Sequence, residues 1–442
     1  MTSIWPEFGY RESLYATAPV PATAEGENLL VGRTSELREL KTLLASTSLH
    51  PTIEGENGVG KTSLVAVAGY QLMKSFQNGH TSQALLPLGR VFQLTPRQSV
   101  DSFRRQVLLE TAQGLIDNFD VLKAGGLDVP DVNELRRWLS RAIQQRGGGG
   151  RTESSSDRAG RGAAGNSGSG GFSESGFSTV VEAWLRQTFP STQSGGFICV
   201  IDNLELLETY QTARTLLEGL RDEVLGLPGL RWVLCGARGI VQTGASSARL
   251  EGRLAEPMLL GPLPHAKAPD VVSTRREAYR VRDDAVAPVG RKSFRLLYDV
   301  LNGNLRNALK YAENFSLWLA LNSQGPWISE TNDKLLEVWL SETADKHLAE
   351  TKLGGAAWKV FERLIEMGGS CSPSDFEQFG YTTPMALRPQ IKALEDVNLI
   401  VSSIDETDKR RKTISVAPRG WLVQFARSGY ALRSLEDGQV GK

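Results

Sequence analysis

Residues 52–64 read Thr-Ile-Glu-Gly-Glu-Asn-Gly-Val-Gly-Lys-Thr-Ser-Leu. The run contains the pattern G-x-x-x-x-G-K-[ST], in which backbone N–H groups turn inward around phosphates, the lysine pairs with the β and γ oxygens, and the hydroxyl holds Mg²⁺. A short apolar run precedes it and an apolar helical pattern follows it, as the motif requires; an accidental glycine-rich turn is the alternative. We therefore expect the chain to bind a nucleoside triphosphate, with Lys61 also assisting its chemistry, through Gly55, Asn57, Gly58, Val59, Gly60, Lys61, Thr62 and Ser63.

The composition is that of an ordinary globular protein. The 442 residues are enough for two or three domains, and 40% of them are hydrophobic and 23% charged. Lys+Arg and Asp+Glu both number 50, so any contact with DNA must come from a local patch. The first residues lack the basic start and apolar core of a signal peptide, and no apolar run approaches membrane-spanning length. We expect a cytoplasmic protein without membrane contact.

The cysteines and histidines form no recognisable catalytic or metal centre. Cys199 and Cys235 lie in apolar runs that predict buried strands, and Cys371 stands alone in a polar turn, so no disulfide framework or zinc spacing exists. The four histidines are scattered without ligand or triad spacing: His50, His80, His265 and His347. The sequence therefore predicts no nuclease, protease or structural metal site.

Strands and helices alternate around the phosphate-loop motif, which predicts a largely parallel sheet. Residues 29–33 read Leu-Leu-Val-Gly-Arg and lead into a helix that Thr34 can cap, with Glu36 near its positive end. A second strand is predicted at 90–94, and helices at about 99–114 and 132–142.

Two segments have compositions that differ from the rest. Residues 1–28 are rich in Pro, Ala, Glu and Gly but carry four aromatic side chains, which indicates either an arm pinned onto a domain surface or a free disordered segment. Residues 146–176 are almost entirely Gly, Ser, Ala, Arg and Glu, with too few apolar groups to fold. We predict a flexible insertion at 146–176 and give it no function.

Two further apolar runs end in charged residues. Residues 197–205 read Phe-Ile-Cys-Val-Ile-Asp-Asn-Leu-Glu, typical of a Walker B strand, whose terminal acid Asp202 can hold Mg²⁺ through water. A solvated acid after a buried strand is the alternative. Residues 231–238 predict another buried strand with Arg238 at its end, where it could sense the γ-phosphate.

These pieces, in this order, resemble an AAA+ ATPase of the origin-recognition and initiator class, or its STAND signal-switch relatives, over about residues 29–425. The resemblance implies that Val31 and Gly32 lie against the adenine of ATP. It also implies that Arg253, with Arg249 in reserve, is an arginine finger acting on a neighbour's nucleotide in a homo-oligomer or with an ATPase partner; a surface arginine is the alternative. Residues 303–309 (Gly-Asn-Leu-Arg-Asn-Ala-Leu) resemble the lid motif that carries the second sensor, here Arg306.

The sequence departs from many AAA+ proteins at the position after Asp202. The catalytic Glu expected there is Asn203, and the next acid is Glu205. An amide cannot accept a proton from water at neutral pH, so we expect hydrolysis to be slow unless Glu205 reaches the attacking water. ATP would then act mainly as a clamp, through contacts of Arg238, Arg306 and a neighbour's Arg253 with the γ-phosphate.

The pattern from about residue 354 to 425 predicts a winged helix-turn-helix. Its third helix would bury Leu387, Ile391 and Leu394, and Pro389 would weaken that helix unless it falls in the first turn. Winged helices bind DNA or proteins, and both alternatives stay open here. For DNA, the predicted contacts are three groove-facing residues, Arg388, Gln390 and Lys392, and four phosphate-binding residues at the wing tip, Lys409, Arg410, Arg411 and Lys412.

The sequence as a whole predicts an α/β P-loop NTPase of the AAA+ type, with a parallel sheet, an α-helical lid and a C-terminal winged helix-turn-helix. The predicted divisions are an arm at 1–28, a nucleotide domain at 29–263, a lid with connecting helix at 264–350, a winged helix at 351–428 and a tail at 429–442. We expect ATP and Mg²⁺ to control oligomerisation and binding to double-stranded DNA. The alternatives are a STAND-type signalling or defence switch acting through protein partners, and a helper ATPase for another DNA enzyme.

Overall fold

The computed structural model of the chain describes residues 3–147, 176–204, 210–237, 239, 241, 247–323, 325–404 and 412–431. Most of the predicted insertion at 146–176 and most of the tail at 429–442 lie outside these residues. So do five of the predicted site residues, Glu205, Arg238, Lys409, Arg410 and Arg411.

A five-stranded parallel sheet forms the centre of the first unit, which we call the P-loop unit (residues 24–263). Its order is β2-β3-β4-β1-β5, and every neighbouring pair is parallel. The three central strands are buried along their whole length, as expected when helices cover both faces. The predicted α/β class with a parallel sheet is confirmed, with strands β1 (His50–Glu54), β2 (Ala84–Gln93), β3 (Gly195–Asp202), β4 (Leu230–Gly236) and β5 (Leu254–Leu259).

Helices cover the two faces of this sheet with separate apolar clusters. On one face, Leu40 and Leu44 of α2 and Leu64 of α3 are fully buried against strand residues such as Ile53 and Val233. Most of the other helices pack on the opposite face, around Trp232. The helices are α1 (Ala24–Leu29), α2 (Thr34–Ser46), α3 (Lys61–Gln77), α4 (Val100–Asp117), α5 (Phe119–Ala124), α6 (Val132–Gly147), α7 (Phe177–Thr188) and α8 (Tyr210–Leu220), which continues into a π-helical turn (Arg221–Leu225).

Two boundary predictions in this unit were wrong. Strand β2 begins at Ala84, well before the predicted start at 90, because pairing with β3 tolerates Pro87 and Gly89, residues that disfavour strands. Strand β2 is at the edge of the sheet, where a missing N–H is least harmful. Helix α2 begins at Thr34, but its N-cap is Arg33 and no side chain caps it.

The lid (residues 264–350) is a helical unit that includes the N-terminal arm in its core. Five arm side chains are at most 7% exposed and share one apolar cluster with the lid helices: Trp5, Phe8, Tyr10, Leu14 and Tyr15. The arm is therefore packed against the lid helices and is not a free segment. The lid helices are α9 (Ala268–Tyr279), α10 (Arg291–Val300), α11 (Leu305–Asn322) and α12 (Ser329–Glu350).

The C-terminal module (residues 354–431) contains helices and a three-stranded antiparallel sheet of order β6-β8-β7. It packs onto α12 through its last helix, where Arg419 pairs with Glu350 at 3.1 Å. In the turn after that helix, the Tyr430 hydroxyl donates to Asp345 at 2.5 Å. Its elements are α13 (Gly355–Glu366), β6 (Ser370–Cys371), a 3₁₀ segment (Pro373–Phe379), α14 (Pro384–Asp396), β7 (Ile400–Ile404), β8 (Lys412–Val416) and α15 (Pro418–Arg427).

Candidate nucleotide site

The phosphate-loop motif connects the carboxyl end of β1 to the start of α3. Gly58 and Gly60 have φ angles of +90° and +99°, in the region that glycine adopts without strain. Lys61 is the first residue of α3, so the loop presents its backbone next to the positive end of a helix dipole. The local backbone is therefore built to surround an anion.

Lys61, Thr62 and Asp202 meet at this loop. The Lys61 ammonium donates to the carbonyl oxygens of Gly55 at 2.8 Å and Glu56 at 3.3 Å. The Thr62 hydroxyl donates to the Asp202 carboxylate at 2.5 Å, and Asp202 is the last residue of β3. Hydroxyl and carboxylate oxygens are the donors that Mg²⁺ prefers, so this pair fits the predicted Mg²⁺ site. Among the described residues there is no cluster of three or more His, Cys, Asp or Glu that could hold another metal ion.

Asn203 takes a left-handed backbone, with a φ of +58°, and its N–H donates to the Asp202 carboxylate at 2.9 Å. Asn tolerates this conformation better than most residues. Asn203 also lines the pocket next to the loop, and Asp202 is the one carboxylate among the described lining residues.

The lid contacts the phosphate loop directly. Asn304 caps α11 by accepting from the Asn307 N–H at 3.0 Å, and its amide donates to the Asn57 carbonyl at 3.2 Å. Arg306 lines the pocket and packs so closely that a Cβ on Gly58 would lie 2.6 Å from its own Cβ. The predicted second sensor is thus next to the loop whose phosphates it would sense.

Several apolar side chains, which we call the apolar wall, also line the pocket, whose volume is about 850 Å³ including its open mouth. Val31 lines the pocket, as the family resemblance implies, but Gly32 is not among the lining residues. The residues of this wall are Leu29, Leu30, Val31, Leu263, Val271, Leu305 and Leu309.

Arg33 is a buried cation that the sequence analysis did not select. It is 5% exposed, it pairs with Glu36 at 2.9 Å, and it donates to the carbonyls of Val59 at 3.0 Å and Gly261 at 2.6 Å. It thereby joins the phosphate loop to the segment that leads into the lid. Only its place in the 29–33 run hinted at a role.

Glu54 is another residue that the sequence analysis missed, although it directly precedes Gly55. It is 2% exposed, and its carboxylate accepts from the Gly239 N–H at 2.9 Å. Glu54 thus holds the segment that follows β4 against the base of the phosphate loop. The signal that could have identified Glu54 is a carboxylate at the end of a central strand, where charged side chains are seldom buried without a partner.

The two finger candidates lie away from this chain's own pocket. The carbonyl of Arg253 accepts from the N–H of His50, the first residue of β1, so Arg253 is at the end of the sheet opposite the phosphate loop. Arg249 is 64% exposed and lies 4.0 Å from Glu218. A role in trans stays a prediction for both.

The predicted DNA-contact residues on α14 divide by exposure. Arg388 and Lys392 are exposed, and Gln390 is half-buried, whereas Leu387, Ile391 and Leu394 face the core of the module as predicted. Pro389 lies inside α14, beyond its first turn, and the helix continues past it to Asp396. Lys412 begins β8.

Comparisons with known proteins found similarity only among solved structures. No protein-family model matches the sequence, and no curated protein does. A structure of the Aeropyrum pernix ORC1 protein in complex with DNA is 15% identical, covers 97% of this chain and 98% of its own, and has a TM-score of 0.43. The Aeropyrum pernix ORC2 protein, solved as ADPNP-ADP complexes, is 12% identical over 95% of this chain and 98% of its own, with a TM-score of 0.45. Cdc6p from Pyrobaculum aerophilum is 13% identical, covers 95% of this chain and 98% of its own, and has a TM-score of 0.37.

The fold assignment rests on the parallel sheet and on the phosphate loop that joins β1 to α3. No helix in the described part of the chain combines the length and apolar character needed to cross a bilayer.

Proposed function

We propose that the protein binds ATP with Mg²⁺ at the phosphate loop and uses the bound nucleotide to hold the lid on the P-loop unit. The observation that carries this proposal is the direct contact of Asn304 and Arg306, both on the lid, with the loop residues Asn57 and Gly58. A γ-phosphate in the loop would give Arg306 a charge-assisted contact that a diphosphate lacks. The closed arrangement is therefore favoured by the triphosphate.

Each residue of the loop has a defined part in this proposal. Lys61 would exchange the carbonyls of Gly55 and Glu56 for the β and γ oxygens, and the Thr62 hydroxyl would bind Mg²⁺, with Asp202 acting through water. Mg²⁺ held by Thr62 and Asp202 would supply neutralisation of the negative charge on the phosphates. Asn203 replaces the general base, so we propose slow turnover and a long-lived ATP state.

We further propose that the C-terminal module is a winged helix that binds double-stranded DNA. Helix α14 packs mainly within the module, which leaves Arg388 and Lys392 exposed. The module contacts α12 of the lid, through Arg419 and Tyr430, so lid position and module position are linked. Among the described residues, the module packs mainly on lid helices, an arrangement that favours this proposal over a STAND-type switch.

Oligomerisation is the remaining part of the proposal. Arg253 at the far end of the sheet cannot serve its own pocket, and it is only half-buried. A neighbouring copy, or an ATPase partner, would bring its pocket to this arginine. ATP-dependent assembly should then be visible as a higher mass in ATP than in ADP, and should disappear in Arg253→Ala.

The test of DNA binding is fluorescence anisotropy with a mixed-sequence duplex, in ATP, ADP or no nucleotide, at two salt concentrations. We expect binding that strengthens with ATP and disappears in Lys61→Ala. In Arg388→Glu/Lys392→Glu, binding should weaken, and the slope of log K against log salt should fall by about 0.9 for each phosphate that the protein no longer neutralises. The charge-matched control, Arg38→Glu/Lys310→Glu, reverses exposed cations on the other two units.

A protein partner is the rival for this surface. Met385, near the start of α14, is 75% exposed and lies beside two exposed prolines, Pro384 and Pro389. An exposed apolar group of this kind suits protein contact better than phosphate contact. No DNA binding in any nucleotide state, with intact ATP binding, would favour a signalling switch or a helper ATPase.

A further inference from the structure

The N-terminal arm runs from the core of the lid to the phosphate-loop helix. At the lid end, the Tyr15 side chain is fully buried, and its hydroxyl accepts from the Val289 N–H and donates to the Val289 carbonyl, both at 2.8 Å. At the other end, the Val20 N–H donates to the Ser63 hydroxyl on α3 at 3.2 Å. The short stretch between these anchors passes from one unit to the other.

Residues 17–20 of this stretch line the nucleotide pocket. The side chains of Thr17, Ala18 and Pro19 are exposed, so the stretch lies at the rim of the pocket and not in the core. The apolar wall that includes Val31 and Leu263 lines the same pocket. The residues after 20 pack along α3. The Glu27 carboxylate accepts from the Gln71 side chain at 2.9 Å and pairs with Lys74 at 3.2 Å, and both partners lie on α3.

Arg275, on the first lid helix, determines where this stretch lies. Its guanidinium donates to the carbonyls of Leu14 at 3.0 Å and Ala16 at 2.8 Å, just before residue 17. Arg275 is 7% exposed and lines the pocket, and its Nε has no hydrogen-bond partner. Arg275 thus ties the arm to the first lid helix at the edge of the pocket.

We propose that residues 17–20 are a strap that closes the pocket over the end of the nucleotide remote from the phosphates, and that Arg275 is the residue that positions it. The strap is fixed on the lid at one end and on α3 at the other, so a bound nucleotide leaves only after one anchor releases. Nucleotide dissociation is therefore slow. This inference rests on the proposed nucleotide site and adds to it the element that controls release.

The test measures release directly. The full chain is loaded with a fluorescent N-methylanthraniloyl derivative of ADP and chased with excess ADP in a stopped-flow instrument. Arg275→Lys keeps the charge, but its ammonium is one bond closer to the backbone than Nη1, the single nitrogen that donates to both carbonyls. This variant should raise the dissociation rate constant about 10-fold. Pro19→Gly loosens the exposed strap without touching the core, and should raise it about 3-fold.

Arg282→Ala is the matched control. Arg282 also contacts the arm, through the Glu7 carbonyl at 2.9 Å, but its side chain is 50% exposed and it is not a pocket residue. Its dissociation rate constant should equal that of the wild type. Thermal unfolding without nucleotide shows whether a variant is destabilised. If Arg275→Lys is destabilised, the release rate of Pro19→Gly tests the strap, because the Pro19 side chain is exposed and its loss leaves the core intact.

The outcomes are distinct. Faster release in Arg275→Lys and Pro19→Gly, with association rate constants within about 2-fold of the wild type, supports the strap. Release at the wild-type rate in both variants overturns it while leaving the nucleotide site intact. No binding by the wild type, combined with none by Lys61→Ala, overturns the proposed nucleotide site and the strap with it.

Discussion

Gly58 offers the sharpest test of the contact between the lid and the phosphate loop. Its φ is +90°, and a Cβ added there would lie 2.6 Å from the Cβ of Arg306 and 3.3 Å from Oδ1 of Asn304. The Cβ of Arg306 is attached to the backbone of α11 and cannot rotate away. Gly58→Ala therefore forces either the loop or the lid to move.

Two contributions add up in this variant. The left-handed backbone costs an alanine about 1–2 kcal/mol, and overpacking against the lid adds about 1–3 kcal/mol. Gly79 separates the two, because its φ is +71° and a Cβ there would meet no heavy atom within 4 Å. Gly79→Ala thus carries the backbone strain alone, at a site that follows α3 and lies outside the pocket.

The assay is a titration with a fluorescent ATP analogue, together with thermal unfolding with and without ATP. In Gly58→Ala, the overpacking opposes lid closure, so the Kd should rise about 5- to 150-fold, the equivalent of 1–3 kcal/mol. The thermal shift produced by ATP should shrink accordingly. Gly79→Ala should lower the unfolding midpoint without nucleotide but keep its Kd within about 2-fold of the wild type.

Equal Kd values for the wild type and both variants would refute the reasoning. Such a result would mean that ATP binds without the lid on the loop, and that Arg306 is not a γ-phosphate contact. A Kd that rises equally in both variants would mean that backbone strain, and not the lid contact, weakens binding.

Three further predictions concern stability and capping. Burial lowers the pKa of His50 from 6.5 to about 4, so the folded chain resists protonation that the unfolded chain accepts below pH 6.5. The contribution of neutral His50 to the free energy of unfolding is complete above pH 6.5 and is lost as the pH falls from 6.5 to about 4. The loss is about 3 kcal/mol. Denaturation midpoints should show it in the wild type and not in His50→Gln. Tyr15→Phe removes the hydroxyl that pairs with the N–H and carbonyl of Val289, and should cost about 1–3 kcal/mol of stability in denaturation experiments. The control Tyr430→Phe removes an exposed hydrogen bond and should change stability by under about 0.5 kcal/mol. Equal losses in the two variants would contradict the packed arm. Asn304→Ala should cost about 1 kcal/mol of stability and also weaken ATP binding, whereas Ser99→Ala, which removes the cap of α4, should lower stability alone; an unchanged Kd in Asn304→Ala would argue against its contact with the loop.

The proposed properties of the site fit together as a slow switch. Asn203 in place of a general base slows hydrolysis, and a strap that must lift slows exchange. The nucleotide state would then persist for many encounters with DNA or with a partner. A single-turnover measurement of phosphate release, compared with the dissociation rate constant, would show which of the two steps sets the lifetime.

The sequence by itself determined the parts whose chemistry is local. A phosphate loop binds through consecutive backbone N–H groups, so 52–64 could be recognised without knowing what lies around it. Asp202 could also be recognised from the sequence, because an acid that ends a buried strand of a parallel sheet must lie at the same edge as the loop. The α/β class and the inward face of α14 came from periodicity, which depends only on neighbours along the chain.

Only the tertiary structure decided which residues close the pocket. Strand β2 could not be delimited, because Pro87 and Gly89 oppose a strand locally and pairing with β3 overrules them. The arm, Arg33 and Arg275 become part of the site because chain segments more than 200 residues apart meet there, as the hydrogen bonds from Arg33 to Gly261 and from Arg275 to Leu14 show. Such contacts arise from the folding of the whole chain, which brings distant segments together in a way that no local pattern encodes.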